Sequence, residues 1–176
     1  TIAGGGLLLF VWLSGKGGTI SFAYLRKHAF IGFMMITIGN GLVGWAEMFI
    51  PSGLAALICA MMPVCVVLIN LASKAEEKPN ALIYAGLLFG VGGLMLVFRE
   101  HVADLVNPDY RMGIVLTFVA IIGWSYGSVS IRRYGKPESP LMNAGFHLFF
   151  GGIGIWLFSF VFDDYTRFST VDWQGM

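Results

Sequence analysis

The chain has 176 residues, of which 57% are hydrophobic and 12% are charged, and its mean hydropathy is +0.77. This composition leaves too little polar surface to cover a water-soluble globule of this size, so it predicts a membrane protein. The formal net charge is only +1, and the basic residues form short clusters rather than a continuous stripe, which excludes a nucleic-acid partner.

Six apolar segments follow one another along the chain. They cover residues 1–14, 29–50, 52–73, 81–98, 112–131 and 141–162, and Glu47 is the one Asp, Glu, Lys or Arg inside them. A bilayer core about 30 Å thick needs roughly 20 apolar residues per helix. The sequence therefore predicts an all-α polytopic membrane helix bundle with six spans. The first segment is short and begins at Thr1 rather than Met, so we expect it to be part of a helix in a longer protein.

The distribution of Lys and Arg predicts the orientation. Eight of the eleven basic residues fall in the loops 14–28, 74–79 and 132–140, and short basic loops stay in the cytoplasm. The other three share their segments with acidic residues, which places those segments on the opposite side. The sequence thus predicts a multi-pass protein of the cell inner membrane.

The second segment carries polar side chains on one helical face. Asn40, Gly44 and Glu47 are spaced i, i+4 and i+7, so the Asn40 amide and the Glu47 carboxylate lie on the same face of the predicted helix. A charge at mid-bilayer costs about 3 kcal/mol on insertion scales, so a retained carboxylate indicates contact with a proton or cation. Glu47 also lies four residues before Pro51, where it could instead reach the headgroups, and both interpretations stay open.

Two further segments carry candidate site residues. His147 follows Asn143 by four residues on the last segment, where it could bind or shuttle a proton or hydrogen-bond to a neighbouring helix. Trp124 and Ser128 share a face of the fifth segment, and an aromatic ring with a hydroxyl suits an amphipathic organic solute.

Pro63 lies in the middle of the third segment, where its ring and missing N–H release the carbonyl of Cys59 and kink the helix. Two interpretations of this kink stay open: it is a hinge or part of a cavity wall, or it has a purely structural role. Glycine pairs on the last three segments predict close helix packing: Gly86 and Gly90, Gly123 and Gly127, and Gly151 and Gly154.

No catalytic, metal or cofactor site is predicted. Residues 39–44 fit G-x-G-x-x-G, but the acid that a dinucleotide fingerprint needs about 20 residues later is missing, so the glycines indicate helix packing. Residues 15–18, GKGG, lack the upstream glycine and the Ser or Thr of a phosphate-binding loop, and nothing indicates ATP use. Cys59 and Cys65 lie on different sides of one helix and predict no disulfide.

Three stretches resemble the EamA-type drug/metabolite transporter superfamily. Residues 51–57, PSGLAAL, followed by 62–64, MPV, resemble its fourth-helix signature. Residues 123–128, GWSYGS, with Arg132 and Arg133, resemble its sixth-helix signature, which runs from a tryptophan to a basic cytoplasmic end. Residues 39–47 resemble its bacterial metabolite-exporter branch.

The resemblance implies a ten-helix protein made of two inverted five-helix repeats, of which this chain holds the second to seventh helices. Residues 1–106 would be the first repeat without its first helix, and residues 107–176 would begin the second repeat. The family has a central substrate cavity between its halves, opened alternately to each side. Trp124 and the Pro63 region are then implied as cavity walls, and Glu47 as a candidate.

The resulting hypothesis is a secondary-active transporter that exports small metabolites, such as amino acids or amphipathic compounds, by alternating access. It predicts a small-molecule substrate and the lipid bilayer as partners and leaves a homodimer open. The alternatives are a membrane-embedded enzyme, which needs a nucleophile and base at membrane depth, and a non-catalytic pore or scaffold. The sequence leaves the substrate, the coupling ion and the direction of transport open.

Overall fold

The computed structural model of the protein describes residues 1–15, 20–73, 80–134 and 140–162. Within these ranges the chain forms helices and turns without strands, which confirms the all-α helix bundle. We number the six long helices α1 (Ile2–Leu13), α2 (Phe22–Ala46), α3 (Ser52–Ala72), α4 (Ala81–Val97), α5 (Arg111–Tyr134) and α6 (Pro140–Phe162). Each predicted apolar segment corresponds to one of them.

Four helices, α2, α3, α5 and α6, are long and apolar enough to cross a membrane. Helix α4 turns through 92° into the short helical stretch Arg99–Val106 and could form a fifth, broken span. Helix α1 has 12 residues and is shorter than a bilayer requires, as its sequence predicts. A side-chain contact within one turn stabilises the helical stretch Arg99–Val106, where His101 Nδ1 lies 3.0 Å from Asp104 Oδ2.

One predicted boundary is wrong. The sequence predicts residues 22–28 in the loop 14–28, but α2 begins at Phe22. The hydroxyl of Ser21 caps this helix by accepting a hydrogen bond from the Tyr24 amide at 3.1 Å. Long basic side chains such as Arg26 and Lys27 can extend toward the headgroups, so they do not end a membrane helix. The first turns of α2 therefore belong to the bundle.

The other two predicted loops lie largely outside the described residues. Residues 74–79 lie wholly outside them, and so do residues 135–139 of the loop 132–140. Arg132 still belongs to α5, which ends at Tyr134, and α6 begins at Pro140.

Glycine contacts establish the directions of α1 and α6. A Cβ on Gly4 would meet the backbone of Phe149, and one on Gly145 would meet Leu8 at 2.9 Å. Val11 packs into a cluster with Met142. Residues later in α1 thus contact residues earlier in α6, so these two helices are antiparallel.

The central pair α2 and α5 is antiparallel as well. A Cβ on Gly113 would lie 3.0 Å from the Ala46 carbonyl, whereas Gly127 faces Met35 and Ile31 near the start of α2. The largest buried cluster lies next to this pair and contains Leu54 and Ile58 from α3 and Ile121 from α5. These contacts put the C-terminal end of α2 at the same end of the bundle as the beginning of α5.

Helix α3 is broken where Pro63 predicts a break. Its first part ends at Cys59, and its second part begins at Met62, with Pro63 in its first turn. Between them, the Met61 amide donates to the Ile58 carbonyl at 2.9 Å, which is a tightened turn.

The predicted glycine strips differ in what they touch. Gly123, Gly127, Gly151 and Gly154 all face close neighbours on α2. On α4, by contrast, Gly86, Gly90 and Gly93 have no other described atom within 4 Å of a Cβ. Close packing through glycine is therefore seen on α5 and α6, and the strip on α4 remains a prediction.

Candidate functional site

A polar cluster lies between the first turns of α2 and α6. The Tyr24 hydroxyl donates to the Asn143 side-chain oxygen, and His28 faces His147 one turn further along both helices. The ring of Tyr24 lies 4.1 Å from the ring of His28 and packs edge-on against Phe146 at 5.8 Å, both between centroids. Each pair joins residues 119 apart in the sequence, so α2 and α6 run parallel and begin at the same end of the bundle.

The two histidines form a direct contact inside the protein. His28 Nδ1 lies 2.8 Å from His147 Nε2, and the rings stack with centroids 4.9 Å apart and planes 28° apart. His28 is 5% exposed and His147 is 8% exposed. A nitrogen–nitrogen hydrogen bond needs one donor and one acceptor, so the facing nitrogens share a single proton.

Glycines allow the backbones of α2 and α6 to approach beyond the histidines. A Cβ on Gly32 would lie 2.6 Å from the His147 carbonyl oxygen, and one on Gly151 would lie 2.6 Å from the Gly32 carbonyl oxygen. One turn further, the buried Thr37 hydroxyl donates to the Gly151 carbonyl at 2.9 Å. We call this line of contacts, from Tyr24 and Asn143 to Thr37 and Gly151, the α2–α6 seam.

The middle of α2 departs from α-helical geometry. Residues Phe33–Gly41 form a π-helical stretch of nine residues, and the Asn40 side chain donates to the Met35 carbonyl at 3.2 Å, five residues back. π-Helical turns are rare, occur mostly as single turns inside α-helices and are frequent at functional sites. The stretch contains Thr37 and ends at Gly41, so it leads from the seam to an adjacent cavity.

A cavity of about 190 Å³ opens where the seam widens. Its walls come from the second half of α2 and the last turns of α6: Thr37, Gly41, Gly44, Trp45, Met48, Ile155, Phe158, Ser159 and Phe162. The Trp45 ring lies 5.6 Å from Phe158 and 5.2 Å from Phe162, between centroids. The lining is aromatic with two hydroxyl-bearing side chains, which suits a small amphipathic solute.

Trp124 and Ser128 are half-buried on the face of α5 that meets α2. The indole of Trp124 covers Gly39, where a Cβ would lie 3.1 Å from its Cγ atom. His147 contacts Gly32, seven residues before Gly39, which is roughly 10 Å along the helix. The structure thus brings His147 and Trp124 to the same helix but to different levels.

The other predicted site residues lie at the surface of the described bundle. Asn40, Glu47 and Pro63 are exposed, and Glu47 terminates the helical part of α2. None of the six predicted site residues lines the cavity, although Gly44 and Met48 flank Glu47 on the chain and do line it. Their roles in solute contact therefore stay predictions.

A contact at the α3 break connects Pro63 to α5. The fully buried Ser125 hydroxyl donates to the Met62 carbonyl at 3.4 Å, the residue just before Pro63. The irregular backbone of α3 is therefore packed against protein rather than lipid at this point, as membrane depth requires.

Sequence reasoning missed Tyr24, His28 and Thr37 as members of the seam. The basic residues at 26 and 27 favour a loop over residues 14–28, and this predicted loop includes Tyr24 and His28. The spacing of Tyr24 and His28, four residues apart like Asn143 and His147, is the one signal in the sequence that could have matched them. In the described residues no group of three or more His, Cys, Asp or Glu side chains could hold a metal ion.

Comparison with known proteins identifies similar transporters. The chain is 24% identical over 157 residues to the uncharacterized transporter YoaV of Bacillus subtilis. The aligned region covers 89% of this chain and 53% of YoaV. It is 27% identical over 141 residues to the uncharacterized inner membrane transporter YedA of Escherichia coli K12. This aligned region covers 79% of this chain and 44% of YedA. No family model and no solved structure matches the chain.

The chain spans about half the length of the curated relatives it matches. Its apolar helices and these relatives together support a multi-pass membrane protein with a role in transport.

Proposed function

We propose that the protein is a secondary-active transporter of the EamA type that exports small amphipathic metabolites, such as amino acids, from the cell by alternating access. The observation that carries the proposal is the parallel α2–α6 seam with its aromatic cavity. In the predicted division of the chain, α2 belongs to the first repeat and α6 to the second. The seam would then be an interface between the two halves that rock against each other.

The cavity volume limits what this part of the protein could enclose. Ligand pockets typically measure about 300–1,000 Å³, whereas the cavity here measures about 190 Å³. Since the relatives are about twice as long as the chain, we propose that further helices of the complete protein enlarge the site. Trp124, Ser128, Asn40 and Pro63 would then contribute to the same solute pathway from α5, α2 and α3.

The separation of acid and base disfavours a membrane-embedded enzyme. His28 and Glu47 are 19 residues apart on α2, which is about 28 Å along a helix axis. His147 pairs with His28, so it is equally far from the Glu47 carboxylate along this axis. A general acid and base must both reach one substrate by hydrogen bonds, and these groups lie at opposite ends of the described bundle.

The function is tested with the full-length protein in proteoliposomes loaded with radiolabelled amino acids and amphipathic amines. A transporter gives saturable flux and solute exchange that depend on the protein. An unsaturable leak would support a pore, and chemical conversion of the solute without flux would support an enzyme.

Sidedness is tested by cysteine labelling in an otherwise cysteine-free protein, in which Cys59 and Cys65 are among the cysteines replaced. We expect Ser73→Cys and Ser139→Cys to resist an impermeant maleimide added outside intact cells, because basic loops stay in the cytoplasm. Ser139 itself lies outside the described residues. Met48→Cys is the matched control, since Met48 is 77% exposed at the opposite end and should react. Reaction of both serine positions from outside would invert the proposed orientation.

For Glu47 we propose contact with the cationic group of an incoming or leaving solute. Its carboxylate is exposed beside the cavity residue Met48 and can attract cations to the cavity mouth. Glu47→Gln should therefore raise the KM for cationic solutes several-fold and leave the flux of neutral solutes unchanged. If both solute classes keep the parent KM, Glu47 serves only to anchor the helix end at the membrane interface.

A further inference from the structure

The His28–His147 pair is a hydrogen-bonded unit whose packing depends on its proton content. In a neutral pair, one facing nitrogen carries a proton and the other accepts it. One extra proton can bind at an outward nitrogen and leave this bond intact. When both rings are fully protonated, two N–H groups and two positive charges face each other across the 2.8 Å contact, so the pair must separate.

The helices around the pair supply no described carboxylate that could neutralise such a charge. Helices α1 and α6 contain no Asp, Glu, Lys or Arg. Helix α2 brings Arg26 and Lys27, and α5 ends at this level with Arg132 near its last residue. Glu138 precedes α6 in the sequence but lies outside the described residues. Positive neighbours strengthen the repulsion, so added protons favour a seam opened to water.

The described acids lie at the far end of the bundle. Glu47 ends α2, about 28 Å along the helix from His28. Asp109 lies just before α5, and Gly113 near the start of α5 contacts this end of α2. Asp104 lies three residues after His101, which covers Gly53 at the start of α3 and so at this end as well. Of the described titratable side chains, Tyr24 and the two histidines are therefore those inside the seam.

Separation of the histidines would move the walls of the cavity. Gly32 contacts the His147 backbone, and the same two helices continue through Thr37 and Gly151 to the cavity walls. Helices α2 and α6 are in such close contact that the two histidine rings cannot separate by small side-chain movements. Charge on both rings therefore favours displacement of α6 from α2 as a whole. Proton uptake at one end would thus change the space for solute at the other.

We infer that His28 and His147 form a proton-binding site that opens the α2–α6 seam when both rings are protonated and so couples proton movement to solute transport. This inference rests on the proposed transport function and adds the coupling ion and the residues that bind it. Each ring takes up a proton from hydronium on one side of the membrane, which forms an N–H bond, and returns that proton to water on the other side, so the rings are unchanged after a full cycle.

The first test measures the seam without any transport. In an otherwise cysteine-free full-length protein, Met142→Cys reports on opening, because Met142 is 2% exposed and lies in a buried cluster that packs against Tyr24 of the seam. Its maleimide labelling rate is divided by the rate in denatured protein at the same pH, which removes the titration of the thiol itself. We expect this ratio to rise as the pH falls from 8 to 5, by up to about tenfold per pH unit for each proton taken up.

The same measurement with His28→Gln and with His147→Gln should give a ratio that no longer changes with pH, since glutamine keeps a hydrogen-bonding side chain but does not titrate. Folding of each variant is checked by its size-exclusion profile. A parent ratio that is constant between pH 8 and 5 would overturn the inference even if neither variant folds.

The second test uses flux in proteoliposomes with and without an imposed pH gradient. With a neutral solute, the gradient should stimulate the parent and Glu47→Gln to the same extent, whereas each histidine variant should lose the stimulation relative to its own exchange without a gradient. If Glu47→Gln loses the stimulation and the histidine variants keep it, the proton site is Glu47 and the inference is wrong. If the parent carries no solute at all, the proposed function fails, and the labelling ratio still decides the role of the pair.

Discussion

Gly32→Ala is expected to lower the free energy of unfolding by about 1–3 kcal/mol, because the added methyl group overpacks the seam. Its Cβ would lie 2.6 Å from the His147 carbonyl oxygen and 3.0 Å from the His147 Cα atom. Both are backbone atoms of α6 that cannot turn away as a flexible side chain would. The measurement is the midpoint of denaturant unfolding of the purified full-length protein in detergent micelles.

Gly44→Ala is the matched control for this prediction. Gly44 lies on the same helix, and a Cβ there has no other atom within 4 Å among the described residues. Both changes replace a helical glycine with alanine, which alone stabilises a helix by up to about 1 kcal/mol. We expect Gly44→Ala to be neutral or stabilising, so the difference between the variants isolates the clash. Equal stability of the two variants would show that α2 and α6 do not approach closely at Gly32.

Trp124 and Gly39 are expected to be energetically coupled by about 0.5–3 kcal/mol in a double-mutant cycle. A Cβ on Gly39 would meet the indole at Cδ1, and it would lie 3.1 Å from Cγ and 3.2 Å from the Trp124 Cβ atom. Gly39→Ala should therefore destabilise the parent by displacing the ring, and it should cost little once Trp124→Ala has removed that ring. Unfolding midpoints of the four proteins give the coupling energy.

The same four proteins test whether Trp124 contacts the solute. If the half-buried indole lines the pathway, Trp124→Ala raises the KM for solute, and Gly39→Ala raises it as well because it moves the ring. If Trp124 only packs α5 against α2, the cycle shows coupling in stability while the KM stays at the parent value in every variant that inserts into the membrane.

The sequence by itself determined the class of the protein and its run of helices. A membrane helix is recognised by about 20 apolar residues in a row, which is a local property, so every predicted apolar segment proved to be helical. The break in α3 was equally local, because Pro63 lacks the N–H that an unbroken helix needs. The start of α2 was missed since charged residues near a helix end do not terminate it.

Which helices meet was decided by the tertiary structure alone. His28 and His147 are 119 residues apart, and the four-residue spacing that Tyr24–His28 shares with Asn143–His147 is the one sequence signal that links them. In lipid, surfaces that face other helices and surfaces that face the membrane are both largely apolar, so apart from the few polar residues of the seam no polar–apolar pattern marks the partner side of α2 or α6. For the same reason Gly151 and Gly86 look alike in the sequence, yet only the first stands against a neighbouring backbone in the part of the chain that the structure describes. Shape complementarity across distant parts of the chain positions the α2–α6 seam, and a linear sequence does not display it.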